Sequence, residues 1–390
     1  MQRFVTRLRL STTAHVATLS QTQEAFEEIR FLYGKLATET GLSDFWDQIY
    51  PVQKRLVLAY TTEAFAALGS PLDRVEPGAE LPPVEVLPRH NSLLNRIYEL
   101  LEDGGLIERS GARIIRTSTP IDRTPSQTIY QDLIRDFPRY ASIHQLLHIT
   151  GSQMADCLTG TADPLKLLFN PTTRTILQDV YNNAPLFQAS NLHLGAFLSK
   201  AYRNANGRIQ ILEIGAGLAG TTRHVVTLLT RLGVPFTYVY SDISSSLVSA
   251  AKRMFSHLPK GSMEFVALDI EEIPPETFNG RFHTIISTNC IHATKNVTAT
   301  TSKMLKMLRA DGFLAIIEST ERLFWYDLVW GYLEGWWLFE DGRTHALADI
   351  PFWKASLEAA GFSRVAWTAG TDEEKPVATV ITAFASAEQS

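Results

Sequence analysis

Three carboxylates recur at one place in a repeating pattern. Glu213, Asp242 and Asp269 fall at the ends of apolar runs over residues 209–214, 236–240 and 264–268. The first run leads into Glu213-Ile-Gly-Ala-Gly-Leu-Ala-Gly220, which opens a helical stretch. Gly215 would let the chain turn sharply, Gly217 would let a ligand approach the backbone, and Gly220 would allow close helix packing. Alone, these glycines also fit a dinucleotide loop. The acids tilt the reading. A carboxylate at Glu213 would repel a pyrophosphate but suits a cationic sulfonium. Asp242 is placed to accept hydrogen bonds from two ribose hydroxyls, and Asp269 to reach an adenine amino group. Open sheets bind ligands at the carboxyl ends of their strands, where all three acids would lie. The set fits S-adenosylmethionine, with Ile243, Ile270 and Asn289 counted as further cofactor contacts. The alternative for a single acid after a strand is a helix N-cap. It stays open for Asp242, just before residues 244–246.

His292 and Glu318 follow a fourth and a fifth apolar run, at residues 282–287 and 313–317. A neutral imidazole near its natural pKa is a good base. A carboxylate on its other nitrogen fixes the tautomer and stabilises the imidazolium that forms. Adjacent strands would bring the two together. From the residues alone, His292 as a core or helix-terminal histidine stays equally open. Tyr181 precedes the glycine-loop unit, where a phenol would bind the methionine carboxylate or organise the active site.

The elements that must position these groups follow from the patterning. From Ile209 onward, strands alternate with helical stretches at residues 221–232 and 245–255. This predicts a parallel sheet with helices on both faces. Residues 362–368 and 377–384 are joined only by a polar turn and must pair as an antiparallel hairpin. The expected fold is α/β, a class I (Rossmann-like) methyltransferase core ending in that hairpin. Ahead of it the chain is mostly helical. Phe26, Ile29, Leu32 and Tyr33 fall at helical spacing, as do Val57, Tyr60, Ala64 and Leu68. A helix over residues 91–102 stops at Gly104-Gly105, and two short strands follow at 106–109 and 113–117. This is a winged-helix-like order. Glu99, Glu102, Asp103 and Glu108 are mixed with its arginines, which favours packing or dimerising over DNA binding. Residues 127–205 read as helices interrupted at Pro138, Pro164, Pro171 and Pro185. The expected division is a helical domain over residues 1–185 and a core over 186–390.

Composition narrows the function classes. With a net charge of −5, no basic field invites nucleic acid or an anionic membrane. Cys157 and Cys290 are the only cysteines, too few for a disulfide framework or a thiolate zinc site, and a reduced, cytoplasmic setting without metal is expected. No apolar run is long enough to span a bilayer. Residues 1–20 carry Arg3, Arg7 and Arg9 and no acid, a faint transit-peptide pattern read here as a linker.

Several segments together carry a family resemblance. They are Ser287-Thr-Asn-Cys-Ile-His292-Ala-Thr-Lys295, Glu318-Ser-Thr-Glu321, Asp163-Pro-Leu-Lys-Leu-Leu-Phe169, Asp179-Val-Tyr-Asn-Asn-Ala-Pro185 and Gly335-Trp-Trp-Leu-Phe-Glu-Asp-Gly-Arg343. They resemble the C-methyltransferase domains of fungal iterative polyketide synthases. The front half, with Phe45-Trp46, Tyr50-Pro51 and Ala64-Phe65, is similar to the non-reducing branch. The resemblance spans nearly the whole chain. It implies methylation of the α-carbon of a β-ketoacyl thioester on an acyl carrier protein, from S-adenosylmethionine to S-adenosylhomocysteine, beside the other synthase domains. It also implies that His292 and Glu318 form the catalytic dyad. The rival readings are an O-methyltransferase of phenols and a silent gating module.

On the substrate side, four of the seven tryptophans lie between Trp325 and Trp337. Trp325, Trp336 and Trp337 are expected as walls that hold a flat polyketide and exclude water. Ordinary helix core is the alternative, because Trp330, Leu333 and Trp337 would share one helical face. Arg343 is expected to pair with a carrier phosphopantetheine or with Glu340.

Overall fold

The computed structural model describes residues 15–370 and 375–386; Arg3, Arg7 and Arg9 lie outside them. Its small front sheet pairs β1 (Ile107–Ser110) with β2 (Arg113–Arg116) in antiparallel register. The large sheet is built from β3 (Ile209–Ile214), β4 (Phe236–Asp242), β5 (Met263–Ala267), β6 (Phe282–Thr288), β7 (Leu308–Ser319), β8 (Arg364–Trp367) and β9 (Ala378–Phe384). Their order is β5-β4-β3-β6-β7-β9-β8. The first five strands run parallel, and β9 pairs antiparallel with both β7 and β8. The parallel core and the closing hairpin are those expected.

Alternation along the strands puts side chains on two faces. Leu212, Val239, Ile285 and Ile316 pack with Met304 and Trp353 of the helices Val297–Met307 and Ile350–Ala359. Ile211, Tyr238, Ile286 and Ile317 join the opposite layer, with the helices Pro185–Tyr202 and Gly220–Leu232 and the whole helical front half. Burial on both sides explains why the runs read as continuously apolar.

Strand order reverses between β3 and β6, and ligands bind beyond the strand ends at such a switch point. Register places the candidate residues at that edge. Glu213 pairs with Ile286, and Thr288 with Ile317, so the chain leaving β6 meets the end of β7.

The prolines of the front half do not merely interrupt helices; they start them. Pro138, Pro164, Pro171 and Pro185 each open a helical segment. The missing N–H falls where no intrahelical acceptor exists, and the fixed φ is already helical.

In the winged unit the arginines are occupied. Arg109 pairs with Glu102, Arg113 with Glu80, and buried Arg116 donates to the carbonyls of Leu72, Leu106 and Thr117. That supports the packing role. The aromatic segment departs from expectation. Its helix, Phe324–Trp330, ends before a turn, and a short 3-10 helix Glu334–Trp337 follows. Trp330, Leu333 and Trp337 therefore share no helical face. Among the described residues, no helix is long and apolar enough to cross a membrane.

Candidate active site

Two cavities meet beyond the carboxyl ends of β3, β6 and β7. The larger, about 450 Å³, is lined by Glu213, Gly215, Gly217, Asn191, Thr221 and Thr288 among others. The smaller, about 230 Å³, is lined by His292, Trp325, Tyr326, Trp336, Leu333 and Leu347 among others. Tyr181, Phe187, Asn289 and Trp330 line both.

The glycine loop shapes the larger cavity. Gly215 has φ +64, and a Cβ there would run into Cys290 Sγ. Gly217 has φ +53, and a Cβ there would meet Gly215 O alone, at an ordinary contact distance of 3.8 Å. Gly220 packs against the carbonyl of Tyr181, 3.4 Å from where its Cβ would stand. The sharp turn at Gly215 and the close packing at Gly220 are those expected.

Glu213 is 1% exposed and accepts hydrogen bonds from Thr222 Oγ1 and Tyr238 Oη. Burial pushes its carboxyl up to about 7, against the lowering pull of those two donors. Asp242 is buried at the end of β4. Its Oδ2 accepts from Gly217 N at 2.9 Å and its Oδ1 from Ser244 N at 2.8 Å. The N-cap of helix Ser245–Met254 is Ser244, whose side chain accepts from Leu247 N, so Asp242 braces the loop and is not itself the cap. Asp269 lies two residues past the end of β5, bonded to Glu271 N at 2.9 Å. Ile243 is 71% exposed and Ile270 is buried. Asp242, Ile243, Asp269 and Ile270 flank the larger cavity's edge of the sheet and are not part of its wall.

His292 and Glu318 are brought together. His292 Nδ1 lies 2.6 Å from Glu318 Oε2. Glu318 is fully buried, and its other oxygen accepts the backbone N–H groups of Cys290, Ile291 and His292 at 3.2, 2.9 and 3.4 Å. One carboxylate therefore holds both the imidazole and the turn that carries it. Asn289 enters that turn at φ +45, a conformation Asn tolerates better than most residues. Its Oδ1 accepts from Ser319 N at 3.2 Å, and its buried Nδ2 has no partner. The Tyr181 phenol stands on helix Pro171–Asn183, and burial, then the nearby Glu318, raise it to about 12. It is a neutral donor at physiological pH.

Of the expected aromatic walls, Trp325 and Trp336 line the smaller cavity, with Trp336 edge-on to the His292 ring at 5.5 Å. Trp337 does not. Its indole donates to Gly331 O at 2.8 Å, because the chain turns after Trp330 and sends the two neighbouring rings different ways. Arg343 also needs correction. Its guanidinium is buried, pairs with Asp341 at 2.7 Å rather than Glu340, and donates to the carbonyls of His292, Thr294 and Ala346. It straps the His292 turn from behind, with four of its five N–H groups on these acceptors and its side chain buried. Sequence reasoning missed Phe187, Leu347 and Asp327. Only Asp327, an acid inside Phe-Trp-Tyr-Asp-Leu-Val-Trp, left a signal.

The site offers an orphaned donor at Asn289, a cradle bare of Cβ atoms at Gly217 and a buried carboxylate at Glu213, which together fit a cofactor with a cationic amino-acid end. Comparison with known proteins agrees. Residues 27–114 match a family described as a methyltransferase helix-turn-helix domain, and residues 212–314 match a methyltransferase domain family. The chain is 47% identical over 377 residues to the non-reducing polyketide synthase pkbA of Emericella nidulans, covering 96% of this chain and 15% of that protein. The chain thus spans a small part of such synthases. It is 45% identical over 363 residues to the polyketide methyltransferase ustM of Ustilaginoidea virens, covering 90% of this chain and 82% of that one. The solved CMeT domain of the citrinin polyketide synthase superposes with a TM-score of 0.92 at 37% identity, covering 96% of this chain and 99% of that one. With the parallel sheet, the glycine loop and these relatives in agreement, the chain belongs to the S-adenosylmethionine-dependent C-methyltransferase domains of polyketide synthases.

Proposed function

We propose that this domain methylates the α-carbon of a β-ketoacyl chain held as a thioester on an acyl carrier protein, with His292 as general base. The carrying observation is that His292, bonded to buried Glu318, lines a cavity that shares four wall residues with the proposed cofactor cavity. When bound, S-adenosylmethionine supplies an activated methyl on a sulfonium. Glu213, Gly215, Gly217 and Asn289, with Asp242, Ile243, Asp269 and Ile270 at the sheet edge, are the residues that would hold it.

The protein's own work is alignment, water exclusion and proton removal. A carbon between two carbonyls must lose a proton before it can attack. Glu318 occupies Nδ1 of His292, which leaves Nε2 as the base, and the carboxylate stabilises the imidazolium that results. Tyr181 stands neutral at the junction and organises the reacting groups. Trp325 and Trp336 wall the acyl side. In this reading residues 1–185 act as a helical cover over the core at 186–390. The domain works beside the other synthase domains in the cytoplasm.

Mass spectrometry on a triketide thioester of N-acetylcysteamine and on a free phenol tests the reading. Carbon methylation of the thioester with the phenol untouched is expected. Methylation of the phenol oxygen alone overturns it.

Glu213 gives the cofactor site a pH dependence. Its carboxyl lies at about 7 in the fold against an ordinary 4.5, so the folded protein carries an extra proton between those values. The unliganded fold therefore loses stability as pH rises through that window. A cationic ligand favours the carboxylate and expels the proton, so affinity rises with pH, by at most about ten-fold per pH unit, and levels off above about 7. Calorimetry should show proton release below pH 7 that disappears in Glu213→Gln. A flat affinity profile in the wild-type protein would separate Glu213 from the ligand.

A further inference from the structure

We infer that Asp327 is a positioning residue that fixes the wall of the acyl cavity and ties it to the winged-helix-like unit through Arg96. This rests on the reading of the smaller cavity as the acyl pocket. Asp327 is fully buried on helix Phe324–Trp330, a costly place for a carboxylate unless donors surround it. Three do. Arg96 Nε donates to Oδ2 at 2.9 Å, and Trp336 Nε1 donates to Oδ1 at 3.1 Å. His345 Nε2 lies 2.8 Å from the same Oδ1. Leu347 N donates to His345 Nδ1 at 3.0 Å, which makes Nδ1 the acceptor and puts the proton on Nε2, aimed at Asp327.

The donors come from separate parts of the chain. Arg96 belongs to helix Asn91–Asp103 of the winged unit, whereas Trp336 and Leu347 line the acyl cavity. The carboxylate is where they converge. Its effect on Trp336 is directional. The buried indole N–H of neighbouring Trp325 has no partner, so that ring is held by packing alone. Trp336 is held by packing and by a charge-assisted bond that breaks if the ring turns. The ring stands edge-on to His292 at 5.5 Å and to His345 at 5.8 Å, so its orientation sets both the depth of the acyl cavity and the face offered to the base. A wall held this way discriminates between acyl chains of different length; a loose wall does not.

The test uses the whole domain with acetoacetyl and triketide thioesters of N-acetylcysteamine. Asp327→Asn and Trp336→Phe, which keeps a ring but cannot donate, should each raise KM for the triketide by about ten-fold. Their effect on KM for the diketide and on cofactor affinity should be much smaller. The two effects should not add in the double variant, because Asp327→Asn leaves Trp336 only an uncharged, weaker acceptor and Trp336→Phe removes the donor of that same bond. The indole proton resonance lost in Trp336→Phe should shift in Asp327→Asn. Where Asp327→Asn leaves Arg96 with Glu99 as its one carboxylate partner and the domain fails to fold, the double variant Arg96→Gln with Asp327→Asn removes both charges, and Trp336→Phe touches neither. An unchanged ratio of the two KM values in Trp336→Phe and in a folded Asp327 variant overturns the inference, provided Trp336→Ala does change that ratio. If Trp336→Ala also leaves it unchanged, the acyl-pocket reading itself fails.

Discussion

His292→Ala should nearly abolish methylation, lowering turnover of a triketide thioester by about a hundred- to ten-thousand-fold, with cofactor affinity intact. The imidazole lines the smaller cavity, which shares Tyr181, Phe187, Asn289 and Trp330 with the larger one, and its Nδ1 is committed to Glu318. Among the described residues no other neutral base stands in that wall: Tyr181, raised to about 12, gives protons rather than takes them at physiological pH. Glu318→Gln should be almost as damaging, for a reason specific to this geometry. Glutamine can keep its oxygen on the N–H groups of Cys290, Ile291 and His292, but its amide then faces His292 Nδ1. An amide N–H donates, so Nδ1 must accept, and the ring proton moves to Nε2. The base becomes a donor in the wrong tautomer. Groups that act as a unit are not additive, so the double variant should be scarcely worse than either single one. A substrate already present as its enolate should recover part of the loss in both. Single-turnover assays across pH decide the matter. Near-native methylation by His292→Ala at every pH would make His292 structural.

The core was legible because its physics repeats. A parallel strand covered on both faces must be apolar throughout, and Ile211 with Leu212, or Ile285 with Ile286, serve opposite layers. The acids at the strand ends were legible for the complementary reason: an ionisable residue closing such a run can sit only at the edge of the sheet. Legibility fell where that logic weakens. β5 is an edge strand with half-exposed side chains, and it ends at Ala267, two residues before the acid assigned to it. The aromatic segment looked helical because its periodicity fits a helix, but the helix stops at Trp330, a separate 3-10 helix follows, and Trp337 ends outside the cavity. Arg343 misled for another reason. Its partners are mainly backbone carbonyls of the His292 turn, and a carbonyl leaves no mark on residue type. Asp327 shows the opposite case. An acid in an aromatic helix is anomalous on its face, yet Arg96 lies 231 positions away.

Asp242→Ala should cost S-adenosylmethionine affinity by two orders of magnitude or more while the domain stays folded. Each hydrogen bond from a ribose hydroxyl to a carboxylate is worth about 1.5–3 kcal/mol, and on the proposal that Asp242 holds the ribose two are lost together. The structure adds a second loss. Asp242 Oδ2 holds Gly217 N, and Oδ1 holds Ser244 N, so the same carboxylate fixes the glycine loop and the start of the next helix. Alanine leaves both N–H groups without that acceptor, and the cradle at Gly217 loses its anchor to β4. Ser244 still caps helix Ser245–Met254, and Tyr240 Oη still donates to Gly217 O at 2.6 Å, so the loop loosens without unfolding. Asp242→Asn separates the two contributions. An amide keeps one acceptor but presents a donor to either Gly217 N or Ser244 N, so it should fall between wild type and alanine. Catalytic turnover at saturating cofactor should recover much of its value in Asp242→Asn, because His292 and Glu318 are untouched. Titration calorimetry with S-adenosylmethionine and S-adenosylhomocysteine reads the effect directly, since both carry the same ribose and should weaken in parallel. Affinity within a few-fold of wild type for both ligands would place the ribose elsewhere and leave Asp242 as a brace for the loop alone.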